Sequence, residues 1–243
     1  MTKVCIAGLG LIGGSIGIAL RARGWRVTYL DPHVALEDAQ RYGAADDRDD
    51  GVADLTVIAT PVDVAVELVR NARGLTTSVC SVMAPLRAVA RENFIAGHPV
   101  AGSQDRGLAA ANGALFEGKR WFVDADDELV TAMIRDCGAI IERVDAREHD
   151  EAIALTSHLP QLLSTALAAY LADRDDLLRF AGTGLRTFLR LAGSDASVWS
   201  PIFEANRENL APHADALAQL VRELIEGDAR AFEKAQQFYR VIL

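Results

Sequence analysis

The feature that most constrains the fold is a glycine-rich turn near the N-terminus, with the sequence Gly-Leu-Gly-Leu-Ile-Gly at residues 8–13. It directly follows an apolar run at residues 4–7 that is typical of a buried strand, and it opens a predicted helix at 11–23. A second predicted strand ends at Asp31, 18 residues after Gly13. This spacing, in a strand–turn–helix context, is the fingerprint of a dinucleotide-binding βαβ unit.

Each part of this fingerprint has a chemical reason. The glycines permit a tight turn, close approach of the backbone to a pyrophosphate, and close packing of helix on strand, while the helix N-terminus attracts the anion. Asp31 is predicted to accept hydrogen bonds from the adenosine ribose, which favours NAD over NADP because positions 31 and 32 carry no arginine. The alternative is a turn kept for packing, with Asp31 a simple turn residue. The predicted cofactor contacts are Gly8, Gly10, Leu11, Ile12, Gly13, Asp31, Thr60 and Pro61.

The order of predicted elements divides the chain in two. Strands alternate with helices up to about residue 145, which predicts an α/β Rossmann domain with a doubly wound, mostly parallel sheet. Beyond that point we predict helices alone, at residues 147–172, 175–193, 199–226 and 228–241. We therefore expect a dinucleotide-binding Rossmann domain at 1–146, followed by an all-helical substrate and dimerisation domain at 147–243.

The first of these predicted helices, at 147–172, is apolar almost all the way round. Such a helix must be buried on all sides, and a second domain of this size can hardly enclose it alone. We therefore expect a homodimer in which two chains bury the helix together.

Charge and cysteine content narrow the possible partners. Lys and Arg total 25 against 34 Asp and Glu, a formal net charge of −9, which argues against nucleic acid or an anionic membrane as the main partner. No apolar run is long enough to predict a membrane span. The three cysteines, Cys5, Cys80 and Cys137, are widely spaced and lack metal-ligand spacing, so we expect no metal and a reducing, cytoplasmic location.

A histidine between two glycines is the first candidate catalytic residue. His98 lies in Gly-His-Pro-Val-Ala-Gly at 97–102, just after a predicted strand at 94–96, where α/β sheets place ligands. Histidine can accept a proton near neutral pH, as is needed when hydride leaves an alcohol carbon. Ser81, which we predict to end the preceding strand, could orient the histidine or a substrate hydroxyl. The alternatives are a loop-capping histidine and a serine satisfied at a strand end.

Polar residues inside the helical half supply further candidates. Pro160 is expected to kink its helix, where Ser157, His158 and Gln161 cluster on one side. Arg190 lies between two leucines, and we expect a partly buried guanidinium that needs a carboxylate from the protein or from a ligand. The alternatives are a kinked core helix with satisfied polar groups, and an arginine in an internal ion pair or on a solvated face.

Taken together, the segments resemble the prephenate/arogenate dehydrogenase family of the tyrosine pathway. The family's order is kept by GLGLIGGS at 8–15, HPVAG at 98–102, HDEAIALTSHLP at 149–160 and GLRTFLRLAGSDASVW at 184–199. The glycine turn is shared by many dehydrogenases, whereas HPxAG with SHLP downstream is far more specific. The resemblance implies NAD-dependent oxidative decarboxylation of prephenate to 4-hydroxyphenylpyruvate, or of arogenate to tyrosine, by a homodimer.

The resemblance also implies residue roles. His98 would accept the proton of the ring hydroxyl, Ser81 would help to orient that hydroxyl and the nicotinamide, and Arg190 would bind the ring carboxylate. The substrate-binding set would be Arg190, Gln161, His158 and Thr187.

This sequence departs from the family pattern at three places. Gln161 stands where a second histidine is usual, Thr187 where an aspartate is usual, and Met83-Ala84-Pro85 replaces a lysine-containing segment after Ser81. The departures permit an amino analogue of prephenate as substrate, or a catalytically silent NAD-binding protein.

A 3-hydroxyacid or imine reductase is the alternative within the enzymes. Many hydroxyacid enzymes use a lysine early in the helical domain, but only Lys234 lies beyond residue 119 here. An imine reductase would need neither His98 nor Arg190.

Overall fold

Six parallel strands form the main sheet in the computed structural model, which describes residues 1–102, 105–227 and 229–242. These strands are β1 (Lys3–Ala7), β2 (Arg26–Leu30), β3 (Asp47–Arg48), β4 (Leu55–Ile58), β5 (Thr76–Ser78) and β6 (Phe94–Ile95). Their order is β3-β2-β1-β4-β5-β6, with every neighbouring pair parallel. The direction of winding reverses between β1 and β4, and ligands bind at the carboxyl ends of the strands at such a point. The predicted doubly wound sheet is confirmed.

Five α-helices accompany these strands within the described residues. They are α1 (Leu11–Ala22), α2 (Leu36–Arg41), α3 (Val62–Asn71), α4 (Ala84–Val89) and α5 (Glu128–Asp136). Strand β1 is buried over its last four residues, because a central parallel strand is covered on both faces. Val62, Ala65 and Val69 form the buried stripe of α3, at the spacing of one helix face.

A second sheet of three strands carries the candidate histidine. Its strands are β7 (Gly97–Pro99), β8 (Arg120–Val123) and β9 (Ile140–Arg143), with β7 antiparallel to β8 and β8 parallel to β9. His98 follows a strand, β6, as predicted, but the alternative of a loop-capping histidine is wrong, because the residue lies in β7. Because His98 pairs with Phe122 across the ladder, its backbone is fixed by a strand.

The chain from 146 onward is helical, with differences from the predicted helices. Its α-helices are α6 (Ala146–Ile153), α7 (Leu159–Leu171), α8 (Thr183–Phe188), α9 (Ala196–Ala205), α10 (Arg207–Ile225) and α11 (Ala229–Ile242). Residues Ala154–His158 form a π-helical turn, and Pro160 lies in the first turn of α7, where its missing N–H costs least.

Two of the predicted long helices are wrong. In place of a helix at 175–193, α8 is flanked by 3₁₀ turns at Asp175–Phe180 and Leu189–Gly193, and Gly182 is extended with ψ 179°. In place of a helix at 199–226, α9 and α10 are separated at Asn206, whose φ is −111°.

The chain folds as two compact units, and each unit consists of two separate stretches of sequence. The first contains residues 1–153 and 194–205, and the second contains 154–193 and the chain from 206 onward. The boundary expected at 146/147 cuts α6, and α9 belongs to the first unit because Ile202 is buried in an apolar cluster with Val62 and Leu86. In the described ranges, no helix is long and apolar enough to cross a membrane.

Candidate active site

The glycine turn joins β1 to α1, and its three glycines have different surroundings. Gly8 has φ +93°, and a Cβ added there would lie 2.7 Å from the Ala59 carbonyl oxygen. A Cβ on Gly13 would lie 1.9 Å from the carbonyl oxygen of Gly8. A Cβ on Gly10 would meet no atom within 4 Å. The outer glycines are therefore required by the backbone itself, whereas Gly10 borders open space at the start of a helix.

The surroundings of this open space suit an anionic nucleotide. Helix α1 begins at Leu11, followed by Ile12, and in the described part of the chain no side chain caps its N-terminus, so its first N–H groups can bind an anion. Thr60 lies beside Gly8, and its Oγ1 is buried with no hydrogen-bond partner in the described residues. Pro61 is the exposed N-cap residue of α3. A bound nucleotide would supply the partner that this hydroxyl lacks.

Asp31 follows the end of β2 and braces the same turn. Its Oδ2 accepts a hydrogen bond from the Leu9 N–H at 2.8 Å, and its Oδ1 accepts one from the His33 N–H at 2.8 Å. A carboxylate offers about four acceptor sites, so a half-buried Asp31 can still accept bonds from a ribose. Asp31 is thus a turn residue as well as a candidate cofactor contact.

His98 is the first member of a chain of three ionisable side chains. Its Nδ1 lies 3.0 Å from Nε2 of His149 in α6, and Nδ1 of His149 lies 2.8 Å from Oδ1 of Asp150. His98 is half-buried, whereas His149 and Asp150 are 2% and 1% exposed. The His149 ring also packs against Phe122, with ring centroids 5.5 Å apart and an interplanar angle of 61°. One accessible imidazole is therefore held by two buried polar groups.

Asp150 also fixes the segment that follows Ser81. Its Oδ1 accepts a hydrogen bond from the Met83 N–H at 2.8 Å, and its Oδ2 accepts one from the Ala84 N–H at 2.9 Å, at the start of α4. The expectation that Ser81 ends a strand is wrong, because β5 ends at Ser78. The pairing of β5 with the edge strand β6 stops at Thr77, and Ser81 is half-buried in the connection to α4.

Sequence reasoning gave no role to His149 and Asp150. Both belong to the HDEAIALTSHLP segment on which the family resemblance was based. The signal that the sequence offers is an adjacent pair of ionisable residues near the start of a predicted helix that otherwise continues apolar. Their contacts with His98 and Met83 span 51 and 67 residues of chain, a separation that local patterns do not reveal.

In the second unit, α7 holds the segment that carries Arg190. The Gln161 side-chain amide donates to the Leu191 carbonyl at 2.8 Å and to Thr165 Oγ1 at 3.1 Å. One turn later, Ser164 Oγ donates to the Phe188 carbonyl at 2.9 Å and accepts from the Ala192 N–H at 3.1 Å. Buried polar groups thus fix the backbone on both sides of Arg190.

The exposure of the predicted substrate residues differs from expectation. Arg190 is exposed in the single chain rather than partly buried, because residues 189–193 form a 3₁₀ turn in which Leu189, Leu191 and Ala192 are the half-buried residues. Thr187 is also exposed. No described carboxylate lies within ion-pair distance of Arg190. His158 is completely buried, and its Nδ1 lies 3.1 Å from the side-chain amide nitrogen of Asn206, a hydrogen-bond contact within the second unit.

The cysteines offer no reactive thiol at neutral pH. Burial raises the pKa of each thiol from the ordinary value of 9.0 to about 12, in Cys5, Cys80 and Cys137 alike. Among the residues that the structure describes, no three His, Cys, Asp or Glu side chains form a set that could hold a metal ion.

Comparison with known families gives consistent matches to both halves of the chain. The model of the prephenate dehydrogenase nucleotide-binding domain matches residues 16–148. The model of the prephenate dehydrogenase dimerization domain matches residues 145–235.

Individual proteins match over nearly the whole chain. The probable prephenate dehydrogenase NovF of Streptomyces niveus is 32% identical over 262 residues, covering 96% of this chain and 72% of that protein. The prephenate dehydrogenase of Lactococcus lactis subsp. cremoris is 26% identical over 265 residues, covering 96% of this chain and 74% of that protein. The crystal structure of prephenate dehydrogenase from A. aeolicus, in complex with hydroxyphenyl propionate and NAD+, superimposes with a TM-score of 0.81 at 25% identity, covering 99% and 98% of the two chains.

Proposed function

The chain belongs to the prephenate dehydrogenase family, and we propose how its residues carry out the NAD-dependent oxidative decarboxylation of prephenate or arogenate. The single observation that carries the mechanism is the placement of His98 on a fixed strand, half-buried, with its Nδ1 against His149. The family assignment replaces the 3-hydroxyacid and imine reductase alternative.

The cofactor would bind at the open space beside Gly10. The N–H groups at the start of α1 would hold the pyrophosphate, Thr60 Oγ1 would gain its missing partner, and Asp31 would accept from the ribose. When bound, NAD supplies the acceptor for the hydride that leaves the ring carbon.

His98 would be the base of the reaction. The proton of the ring hydroxyl passes to a ring nitrogen of His98 as the carbon that bears this hydroxyl is oxidised. The bond to the ring carboxylate then breaks, carbon dioxide leaves, and the electron pair of that bond completes the aromatic ring. Because aromatisation favours this second step, the reaction needs no base besides His98. Ser81 would orient the hydroxyl.

Arg190 would hold the ring carboxylate through its guanidinium, which suits bidentate binding of a carboxylate. Its exposure and its lack of an ion-pair partner among the described carboxylates leave the side chain available to a ligand. Gln161 would have two roles in substrate binding. It would contact the substrate side chain, as its position in the motif implies, and it would hold the segment that carries Arg190 through its hydrogen bond to the Leu191 carbonyl.

We further propose that two chains form a homodimer through the helical half, in keeping with the match to a dimerization domain. The helix expected to be buried on all sides is only partly covered in the single chain, with Leu155 and Tyr170 45% and 72% exposed. Helix α11 exposes further large apolar side chains, among them Phe232, Phe238 and Tyr239. A second copy of the chain would remove such surfaces from water.

The test is turnover with NAD of prephenate, of arogenate and of an amino-substituted prephenate, followed by the absorbance of reduced nicotinamide. Reduction coupled one-to-one to carbon dioxide release from at least one of these acids is the expected result. Turnover of the amino-substituted acid alone would identify the divergent substrate that the replacements at Gln161 and Thr187 permit. NAD binding with no turnover of any of the three would favour the catalytically silent alternative.

A further inference from the structure

We propose that His149 and Asp150 are positioning residues that fix the tautomer of His98 and so decide which ring nitrogen is the base. This inference rests on the proposed function in one respect, namely that His98 acts as the base. The assignment itself follows from hydrogen-bond donors and acceptors that meet within the first compact unit.

The surroundings of Asp150 require a hydrogen-bond acceptor. Two backbone N–H groups, of Met83 and Ala84, donate to its two oxygens at 2.8 and 2.9 Å. An ionised carboxylate only accepts hydrogen bonds. Nδ1 of His149 lies 2.8 Å from the same Oδ1 that accepts from Met83, so this ring nitrogen must carry a hydrogen.

The protonation of one ring determines that of the next. A neutral imidazole with its hydrogen on Nδ1 has a lone pair on Nε2, and in His149 this nitrogen faces Nδ1 of His98 at 3.0 Å. Nδ1 of His98 must therefore carry the hydrogen that closes this contact. The remaining nitrogen, Nε2 of His98, keeps its lone pair and is the base.

The packing holds this arrangement in place. The rings of His98 and His149 meet edge to face, with an interplanar angle of 87° and centroids 5.1 Å apart. Phe122 of β8 also packs against the ring of His149. Asp150 is tied to the start of α4, so it cannot turn away without losing two backbone hydrogen bonds. When His98 becomes an imidazolium, the Asp150 charge stabilises it through His149 in a poorly solvated site.

The decisive variant is Asp150→Asn. Its single oxygen can accept from only one of the two backbone N–H groups; where it stays on Ala84, the amide nitrogen takes the Oδ1 position and donates to Nδ1 of His149. The hydrogen of His149 would then move to Nε2, that of His98 would also move to Nε2, and the base would be lost. We expect kcat to fall by about 10²-fold or more, with NAD affinity and KM within a few-fold of the wild type.

The direct readout is the ¹⁵N spectrum of the histidine rings, recorded on the protein without substrate and assigned by comparison with His98→Asn. The wild type should show His98 protonated on Nδ1 and bare on Nε2, and Asp150→Asn should show the reverse. The matched control is Asp145→Asn, at the exposed start of the same helix, where the side chain accepts from the Arg147 and Glu148 N–H groups. Asparagine also caps helices, so this control should keep the wild-type spectrum and kcat.

A fall in kcat without a change in the His98 tautomer, or an unchanged kcat, would overturn the proposal. If Asp150→Asn does not fold, His149→Phe keeps the ring beside Phe122 but removes both nitrogens. It should leave NAD affinity unchanged, give His98 a mixture of tautomers and lower kcat; a single Nδ1–H tautomer in that variant would contradict the inference. Failure of the wild type to turn over any cyclohexadienyl acid would instead count against the proposed function, since the wild-type spectrum is measured without turnover.

Discussion

Alanine at Gly13 should lower the stability of the protein, whereas alanine at Gly10 should lower its affinity for NAD, although the two positions lie in one turn. At Gly13 the new Cβ would lie 1.9 Å from the Gly8 carbonyl oxygen, whereas ordinary C···O contacts are about 3.3 Å or longer. Helix α1 would have to move by more than about 1 Å from β1, and overpacking of this kind costs about 1–3 kcal/mol. The thermal midpoint should therefore fall by roughly 2–12 °C, at about 2–4 °C for each kcal/mol in a chain of this size.

At Gly10 the new Cβ meets no atom within 4 Å, and the residue's φ of −83° is open to alanine. The loss of a glycine N-cap should cost below about 1 kcal/mol in the free energy of unfolding. The methyl group would instead occupy the space proposed for the pyrophosphate, so the Kd for NAD should rise by at least about tenfold, or about 1.4 kcal/mol.

Thermal unfolding and fluorescence titration with NAD, on the wild type and both variants, separate the two effects. Wild-type affinity for NAD in Gly10→Ala would place the pyrophosphate elsewhere. Wild-type stability in Gly13→Ala would refute the close approach of helix and strand on which the reasoning rests.

Three further predictions concern the cofactor, the substrate and the thiols. Asp31→Ala should weaken NAD more than NADP in paired titrations, since only NAD offers a 2′-hydroxyl; equal losses would remove the ribose assignment. Arg190→Ala should raise KM for the substrate by about 10-fold to 100-fold, because a charged hydrogen-bond pair is lost. Ser164→Ala should raise KM less, because it only loosens the segment that carries Arg190. An unchanged KM for Arg190→Ala in steady-state kinetics would rule out its role in binding the carboxylate. The buried thiols have folded-state pKa values of about 12, so their contribution to stability is complete below about pH 9 and is lost as the pH rises towards 12. A thiol reagent at pH 8 should therefore label the protein only after unfolding. Rapid labelling of the native protein would contradict the burial of Cys5, Cys80 and Cys137.

The sequence predicted the parts of the fold that depend on local pattern. Apolar runs such as β1 and β4 need burial on both faces, so the type of sheet could be predicted directly. The glycine turn between β1 and α1 has few other uses, and its cofactor contacts remain a prediction. The segment at 175–193 was predicted poorly because its glycines and short apolar runs fit a helix about as well as the observed 3₁₀ turns.

The site was predictable only one residue at a time. His98 could be chosen from its motif, but its pairing with His149 depends on a strand of one sheet meeting a helix 51 residues later. Leucine neighbours suggested that Arg190 would be half-buried, yet a 3₁₀ turn leaves the arginine exposed while the leucines are partly covered. Neighbours in sequence indicate the type of environment, whereas tertiary contacts decide which side chain faces it.

The role of His98 as the base is best tested by the rate of hydride transfer in a single turnover, with saturating NAD and substrate, in the wild type and in His98→Asn. Loss of the base should lower this rate by about 10²–10⁴-fold. The affinity for NAD should stay at the wild-type value, because the residues proposed to bind the cofactor are unchanged. A variant that keeps most of the wild-type rate would contradict the account, since the proton of the ring hydroxyl would then have to pass to a group other than His98.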